Sequence, residues 1–218
     1  MENRNQLNNG VSQIFDQIYL KKIWGEGSGP GSREKNSREY LAFLNSFMSK
    51  NKIKSILEIG VGDGELLSKL NLENISYTGI DVSNQAINLL SKRSFATDIK
   101  IFNFDAEHFN FHYFDLIICK DVFQHLPNMK IIKILDLIKL NCSFALICND
   151  IGPDEALLNK EIEIGGYRPL DLTLEPFLQN GISVLEWNSD VFFKRVVLFS
   201  NNSLSIKLKK FKGRIIKK

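Results

Sequence analysis

Residues 56 to 64 read Ile-Leu-Glu-Ile-Gly-Val-Gly-Asp-Gly, an apolar run that enters a turn with glycine at every second position. Glycine lets a chain turn tightly and lets its backbone approach a ligand with no Cβ in the way. The residues behind the turn, Glu65 to Leu70, predict a helix. A strand, a glycine-rich turn and a helix open a βαβ unit, and such units impose parallel strands with helices on the faces of the sheet. Glu58 stands just ahead of the glycines, an order that suits a nucleoside-bearing ligand better than a bare phosphate.

The same alternation continues downstream. Lys54–Ile59, Tyr77–Ile80, Lys100–Phe104, Phe114–Cys119 and Ser143–Cys148 predict strands, and Ser83–Lys92, capped by Ser83, and Asn128–Leu140 predict helices. The pattern breaks after Asp150. Ile151–Gly166 reads as an insertion, and Tyr167–Leu178, with two prolines, as a short helix. Ile182–Trp187 and Val191–Phe199 form a final antiparallel hairpin across the turn-prone Asn188-Ser189-Asp190. Upstream, Leu7, Val11, Ile14, Phe15 and Ile18 recur at helical spacing, Trp24 to Ser32 breaks the helix, and Ser37–Ser49 resumes one. The expectation is one domain over residues 1–218: N-terminal helices and a lid over 1–50, a binding core over 51–200 and a basic tail over 201–218.

Composition sets the outer bounds. The 44% apolar and 24% charged residues are those of an ordinary soluble domain. No apolar run reaches the ~20 residues that span a bilayer. The polar start of the chain makes a cytoplasmic location the expectation. Cys119, Cys142 and Cys148 lack metal-ligand spacing and read as reduced core thiols. The net charge of +3 is uneven. Residues 207–218 hold seven lysines and arginines and no acid, which leaves 21 basic groups against 25 acids elsewhere. Leu204, Leu208, Phe211 and Ile215 give that tail helical spacing. It reads first as a solvated terminal helix and second as a surface for anionic lipid or nucleic acid.

Open α/β sheets bind ligands at the carboxyl ends of their strands. Four predicted strands end in acids there: Glu58, Asp81, Asp105 and, just past Cys119, Asp121. Gly60 to Asp81 is close to the ~20-residue interval at which an acid meets a ribose diol, whose two hydroxyls a carboxylate can accept. A dinucleotide dehydrogenase shares that much. Against it stand Glu58 where a pyrophosphate would lie, the Gly-x-Gly-x-Gly spacing and the terminal hairpin.

Taken together, these segments resemble the class I S-adenosylmethionine-dependent methyltransferases. Leu57 to Gly64 is similar to the first family motif, Gly79-Ile80-Asp81-Val82-Ser83 to the ribose-binding strand end, Phe104 to Glu107 to the adenine segment, and Phe114–Ile117 with His125-Leu126-Pro127 to the strand and turn beside the methyl group. The resemblance spans about residues 50 to 200. It implies a Rossmann-like α/β fold: a doubly wound sheet of seven strands in the order 3-2-1-4-5-7-6, with the antiparallel hairpin at one end and an N-terminal helical lid. Three further stretches, Trp24 to Ser32 with its Ser-Gly-Pro-Gly-Ser core, Lys120 to Leu126 and Gly166 to Leu172, resemble a bacterial subgroup associated with surface polysaccharides and specialised metabolites. That subgroup often has arginine at position 120, and lysine here keeps the charge but not the fork.

By position, the resemblance implies that Glu58, Gly60 and Gly62 line the methionine part of S-adenosylmethionine, that Asp81 and Val82 hold its ribose, and that Asp105 and Ala106 meet its adenine. Lys120 joins them, and Ser28 and Ser32 belong to the lid. Methyl transfer from a sulfonium is an in-line displacement that mainly needs alignment and exclusion of water. An alcohol acceptor also needs a base, for which His125 is the candidate, with Asp121 to orient it or take the proton. The competing reading of His125 is a buried structural histidine. An alternative uses a metal on Asp121, Asn149 and Asp150, although the related metal enzymes show the reverse Asp-Asn order. Trp24, Tyr167, Arg168 and Asn149 are the candidate acceptor contacts, with Arg168 forking onto a phosphate or carboxylate or pairing with a surface acid.

The expected activity is O-methylation of a small polar acceptor such as a sugar, a sugar nucleotide or a phosphorylated capsule or metabolite precursor. N-methylation of a small amine, nucleic-acid methylation and non-catalytic nucleoside binding are the alternatives. The absence of Asp/Asn-Pro-Pro-Tyr after the fourth strand argues against exocyclic base methylation. Small molecules, rather than nucleic acid or a membrane, are the expected partners.

Overall fold

Ile56, Leu57, Ile59, Leu116, Ile117 and Ile118 are all buried to within 2% of full exclusion, because their strands lie at the centre of a sheet covered on both faces. The computed structural model describes residues 2–95, 99–152, 157–190 and 192–200, with residues 2–9 by backbone alone. Its seven strands are β1 (Ser55–Ile59), β2 (Ser76–Asp81), β3 (Ile99–Asn103), β4 (Phe114–Lys120), β5 (Cys142–Asp150), β6 (Ile182–Asn188) and β7 (Phe193–Ser200). They lie in the order β3-β2-β1-β4-β5-β7-β6, parallel except for β7, which runs antiparallel to both β5 and β6.

Alternation along the strands splits the core into two layers. Leu57, Ile59, Ile117, Cys119 and Ile147 pack with α4 (Asn128–Leu140) and α1 (Glu2–Leu20). Ile56, Leu116, Ile118, Leu146 and Cys148 pack with α2 (Glu34–Lys50). Register decides what gathers at the carboxyl edge. Ile59 lies level with Ile80 of β2 and Cys119 of β4, so Gly60, Asp81 and Lys120 emerge side by side. On the far side Asp150 of β5 lies opposite Lys194 of β7.

The helix α3 (Asn84–Leu90) starts where the sequence puts it, with the Ser83 hydroxyl accepting from Ala86 N–H. Two expected helices are corrected. Glu65–Leu70 forms only a tight turn over Leu67–Lys69, since six residues before Asn71 do not repay the cost of nucleating a helix. Tyr167–Leu178 is a string of turns, because Pro169 and Pro176 lack an N–H and Asn159 takes up the local backbone, accepting from Asp171 N–H at 2.9 Å and donating to Glu175 O at 2.7 Å. The basic tail, Val191 and residues 153–156 of the insertion lie outside the described residues. None of the described helices is long and apolar enough to cross a membrane. The three cysteines are buried and form no disulfide among the described residues.

Candidate active site

The glycine-rich turn is built on positive φ angles at Gly60 (75°), Gly62 (59°) and Gly64 (74°). A Cβ on Gly60 would run into Val122, and one on Gly62 into the Ser28 hydroxyl, so the turn needs glycine for space as well as for backbone angle. The turn is tied to β2 at its base: Gly60 and Val61 N–H donate to Ile80 O at 2.8 and 3.1 Å. Above them the Asp81 carboxylate accepts from Gly62 N–H through Oδ2 and from Ser83 N–H through Oδ1, both at 2.9 Å. Each oxygen keeps a second lone pair for another donor, as a vicinal diol would require.

Glu58 is 3% exposed and accepts a short hydrogen bond from the Tyr77 hydroxyl. Burial pushes its carboxyl up to about 7, against the Tyr77 bond and the Lys120 charge, which pull it down. Burial likewise lifts Asp81 to about 6, despite its two backbone donors. Both values lie above the ordinary 4.5 and 3.8, so it is the protonated forms that stabilise the fold by itself. Their contribution is complete below those ordinary values and is lost as pH rises through 6 to 7.

The lid is latched to this turn. Ser28 Oγ donates to Asp63 Oδ1 at 3.0 Å and accepts from Asp63 N–H at 2.9 Å. A hydroxyl has one proton, so the Tyr19 hydroxyl, 2.9 Å away, is the donor in its contact with Ser28. Asp16 of α1 accepts from the Ser83 hydroxyl at 2.7 Å and Gln85 N–H at 3.0 Å, which seats α1 on the start of α3. Ser32 Oγ donates to Ser28 O at 3.4 Å, and Lys120 Nζ donates to Gly31 O at 2.9 Å.

A cleft of about 110 Å³ lies under this lid. Glu58, Gly60, Gly62, Asp81, Val82, Asp105, Ala106, Lys120, Asp121, His125, Trp24, Ser28 and Ser32 all line it, so the structure brings together nearly every residue the sequence nominated. Asp105 reaches it with one oxygen committed to Lys130 Nζ at 2.7 Å and the other accepting from Glu107 N–H at 3.1 Å. Tyr167 and Asn149 stand outside the lining. Tyr167 is half-exposed and donates weakly to Asp150 at 3.4 Å, while Asn149 is buried with Oδ1 unpartnered.

His125 closes the cleft at the end of β4, in a single turn over Phe123–His125. It is 8% exposed, stacked against Trp24 at 4.6 Å between ring centroids. Burial outweighs the other influences on the ring and lowers its affinity for a proton. It is therefore neutral at pH 7, and with Nδ1 2.8 Å from Gly166 O the proton must sit on Nδ1. Nε2 carries the lone pair.

Asp121 takes a different part from the one expected. It accepts from Lys120 and, at 2.8 Å, from Lys194. Burial alone would raise its carboxyl, but the two ammonium groups prevail and hold it well below the usual range. A carboxylate so stabilised is a poor proton acceptor at neutral pH, so the base reading of Asp121 is corrected. The metal alternative is corrected by the same group: the Lys194 ammonium, 1% exposed, donates to Asp121 and Asp150 and fills the position between them that a cation would need. Arg168 is a third correction. It is 2% exposed, with its guanidinium spent on Phe123 O, Leu126 O and Asn128 Oδ1 at 2.8–2.9 Å, and it has no reach to an acceptor's phosphate.

Residues the sequence did not nominate also line the cleft: Val11, Phe15 and Tyr19 from α1, Asp63 of the turn, and Lys130 and Ile134 from α4. The helical stripe of α1 carries part of the signal. Lys130 carries none, because on sequence it is one more charge on an amphipathic helix.

Comparison with known proteins agrees with this geometry. A family model described as "Methyltransferase domain" matches residues 57–139, the span from β1 through α4. Residues 57–139 thus resemble a methyltransferase domain. The domain is similar to a ubiquinone biosynthesis O-methyltransferase of Hydrogenovibrio crunogenus, 28% identical over 124 residues, which make up 54% of this chain and 51% of that protein. The chain thus spans about half the length of that curated relative. The fold is shared with magnesium protoporphyrin IX methyltransferase of Synechocystis PCC 6803 in a structure with bound S-adenosylhomocysteine, with a TM-score of 0.63, 12% identity, and coverage of 89% of this chain and 99% of the other. It is also shared with the N-methyltransferase NodS of Bradyrhizobium japonicum WM9 in complex with S-adenosylhomocysteine, with a TM-score of 0.61, 18% identity, and coverage of 78% and 88%. The matched residues hold the parallel strands β1 to β4, while the lid, β5 and the β6–β7 hairpin lie outside them.

Proposed function

We propose that this chain, acting as one domain, transfers a methyl group from S-adenosylmethionine to a hydroxyl of a small polar acceptor, with a sugar or sugar-nucleotide precursor as the first class to test. The observation that carries the reading is the shared cleft: a carboxylate with free lone pairs at Asp81 at one wall, and a neutral imidazole with a free Nε2 at His125 at another. The residues fit the cofactor. Asp81 suits its ribose, Ala106 and Ile134 offer apolar contact for its adenine, and Glu58, Gly60 and Gly62 suit the methionine end, where a buried carboxylate answers a positive charge. Bound there, S-adenosylmethionine would supply an electrophilic methyl group. His125 would take the acceptor's hydroxyl proton on Nε2 while Gly166 O holds the Nδ1 proton. Trp24 and the lid would keep water from the reacting end. Lys120 would hold the lid down through Gly31.

Isothermal calorimetry with S-adenosylhomocysteine tests the cofactor assignment. Asp81→Ala removes two charge-assisted acceptors for the ribose and should weaken binding by about 3 kcal/mol, roughly 100-fold; unchanged affinity would refute the ribose assignment. Because the ionised Asp81 and Glu58 serve the cofactor, binding should tighten as pH rises from 5 to 7.5, by about tenfold for Asp81 alone, over the same range in which the fold by itself loses their contribution. A flat affinity profile would contradict this linkage. A methyl-transfer screen over sugars, sugar nucleotides and phosphorylated metabolites tests the acceptor, and turnover confined to amines would exclude the hydroxyl reading.

A further inference from the structure

Four successive carbonyls, from Phe123 to Leu126, accept hydrogen bonds from one short stretch of chain. Arg168 Nη1 donates to Phe123 O at 2.9 Å, Arg168 N–H to Gln124 O at 3.2 Å, Gly165 N–H to His125 O at 2.9 Å, and Arg168 Nη2 to Leu126 O at 2.8 Å. Residues 165–168 also present Gly166 O to His125 Nδ1. The turn that carries His125 is therefore gripped on both sides of the histidine and at its ring. The gripping segment is itself confined. Gly165 has φ of +85°, and a Cβ there would press on Ile14 of α1 at 2.7 Å.

The guanidinium in this arrangement is unusual. Its hydrogen-bond partners are all neutral, its Nε is buried without a partner, and burial lowers its pKa to about 10 against the opposing charge of Glu161. Glu161 acts on it only through space, and a buried charge with no carboxylate in hydrogen-bond contact costs free energy, so a purely structural tie between loops would be better made by an uncharged group. What arginine supplies is a planar fork that spans two carbonyls three residues apart, which a lysine cannot reproduce. The groups that face the His125 ring are Trp24 from the lid and Tyr167 beyond it, with Asp121, Arg168 and Lys194 as the charges that act on it.

We propose that Arg168 is a positioning residue for His125: its fork, together with the Gly165–Gly166 backbone, fixes the imidazole as the Nδ1–H tautomer with Nε2 presented to the cleft. This rests on the reading of His125 as the base in Proposed function, but its first readout needs neither cofactor nor acceptor.

Nitrogen-15 NMR of the full chain labelled at histidine should show His125 as the Nδ1–H tautomer. A wild-type Nε2–H tautomer would overturn the proposal without any variant. Arg168→Lys keeps the positive charge and removes the fork. It should give a mixture of both tautomers, with the His125 titration moved upward as water reaches the ring. Asn128→Ala, which releases one guanidinium contact and leaves the carbonyl contacts in place, should move the same signals the same way by less, and it keeps the test available if Arg168→Lys does not fold. In turnover, Arg168→Lys should lower kcat by about tenfold or more, with KM for S-adenosylmethionine and affinity for S-adenosylhomocysteine unchanged, since Arg168 does not line the cleft. Wild-type tautomer and titration in both variants would overturn the proposal. Failure of the wild type to bind S-adenosylhomocysteine would instead remove the methyltransferase reading and leave the tautomer result standing.

Discussion

His125→Gln should lower methyl transfer by about 10²- to 10⁴-fold, the usual contribution of a positioned general base, while S-adenosylhomocysteine binds as in the wild type. The imidazole is neutral at pH 7 because burial disfavours its charged form, and Gly166 O occupies Nδ1, so the one basic atom left is Nε2 of a ring that lines the cleft. Glutamine can still donate to Gly166 O, so the loop contact survives while the base is lost. The wild-type kcat should fall on the acid side as His125 protonates, at a pH below the ordinary 6.5 because its value is lowered. That limb should vanish in the variant. Single-turnover assays across pH 5–8 with calorimetry on the same samples would check this, and a variant that retains turnover would refute the base assignment.

Lys194→Met should destabilise the fold by about 3–5 kcal/mol, the usual loss when one partner of a buried ion pair is removed. Lys194 is 1% exposed and pairs with Asp150, also 1% exposed, and with Asp121. Burial opposes its charge, but the two carboxylates raise its affinity for a proton well above normal, so the ammonium persists throughout the working pH range. Without it, Asp150 would be left buried beside Asp121 and would take up a proton, because burial already raises it. The loss should therefore shrink toward acid pH. Chemical denaturation at pH 5 and pH 8 would measure it. Equal losses at both pH values would show that packing rather than charge dominates. The same variant frees the space between the two carboxylates, so any new response to magnesium should appear only in Lys194→Met.

How much of this was legible in advance follows from the range of the interactions involved. The strand and helix sites of the core were readable because period-2 and period-3.6 apolar patterns are local, and the Ser83 cap and the Asn188–Asp190 turn are local as well. The helices expected over Glu65–Leu70 and Tyr167–Leu178 failed because short segments take their form from neighbours: Asn159 reaches the second from outside it in sequence. Among site residues, those at strand ends were found because a strand end is a fixed place relative to the sheet. Lys130, Tyr19 and Lys194 were not, because their relation to the cleft depends on which way a helix or an antiparallel strand turns its face.

By itself, the sequence determined the parallel core and its carboxyl-edge acids: glycines at 60, 62 and 64 meet the positive φ angles of the turn, and an acid at 81 follows at the end of the next parallel strand. Only the tertiary structure decided what those acids and bases do. Asp121 is fixed as a carboxylate because Lys120 beside it and Lys194, which β7 brings against it from 73 residues away, both donate to it, and His125 is fixed in one tautomer because Gly166 arrives from 41 residues away. Protonation depends on charge and burial contributed by distant segments, and those are set when the chain packs.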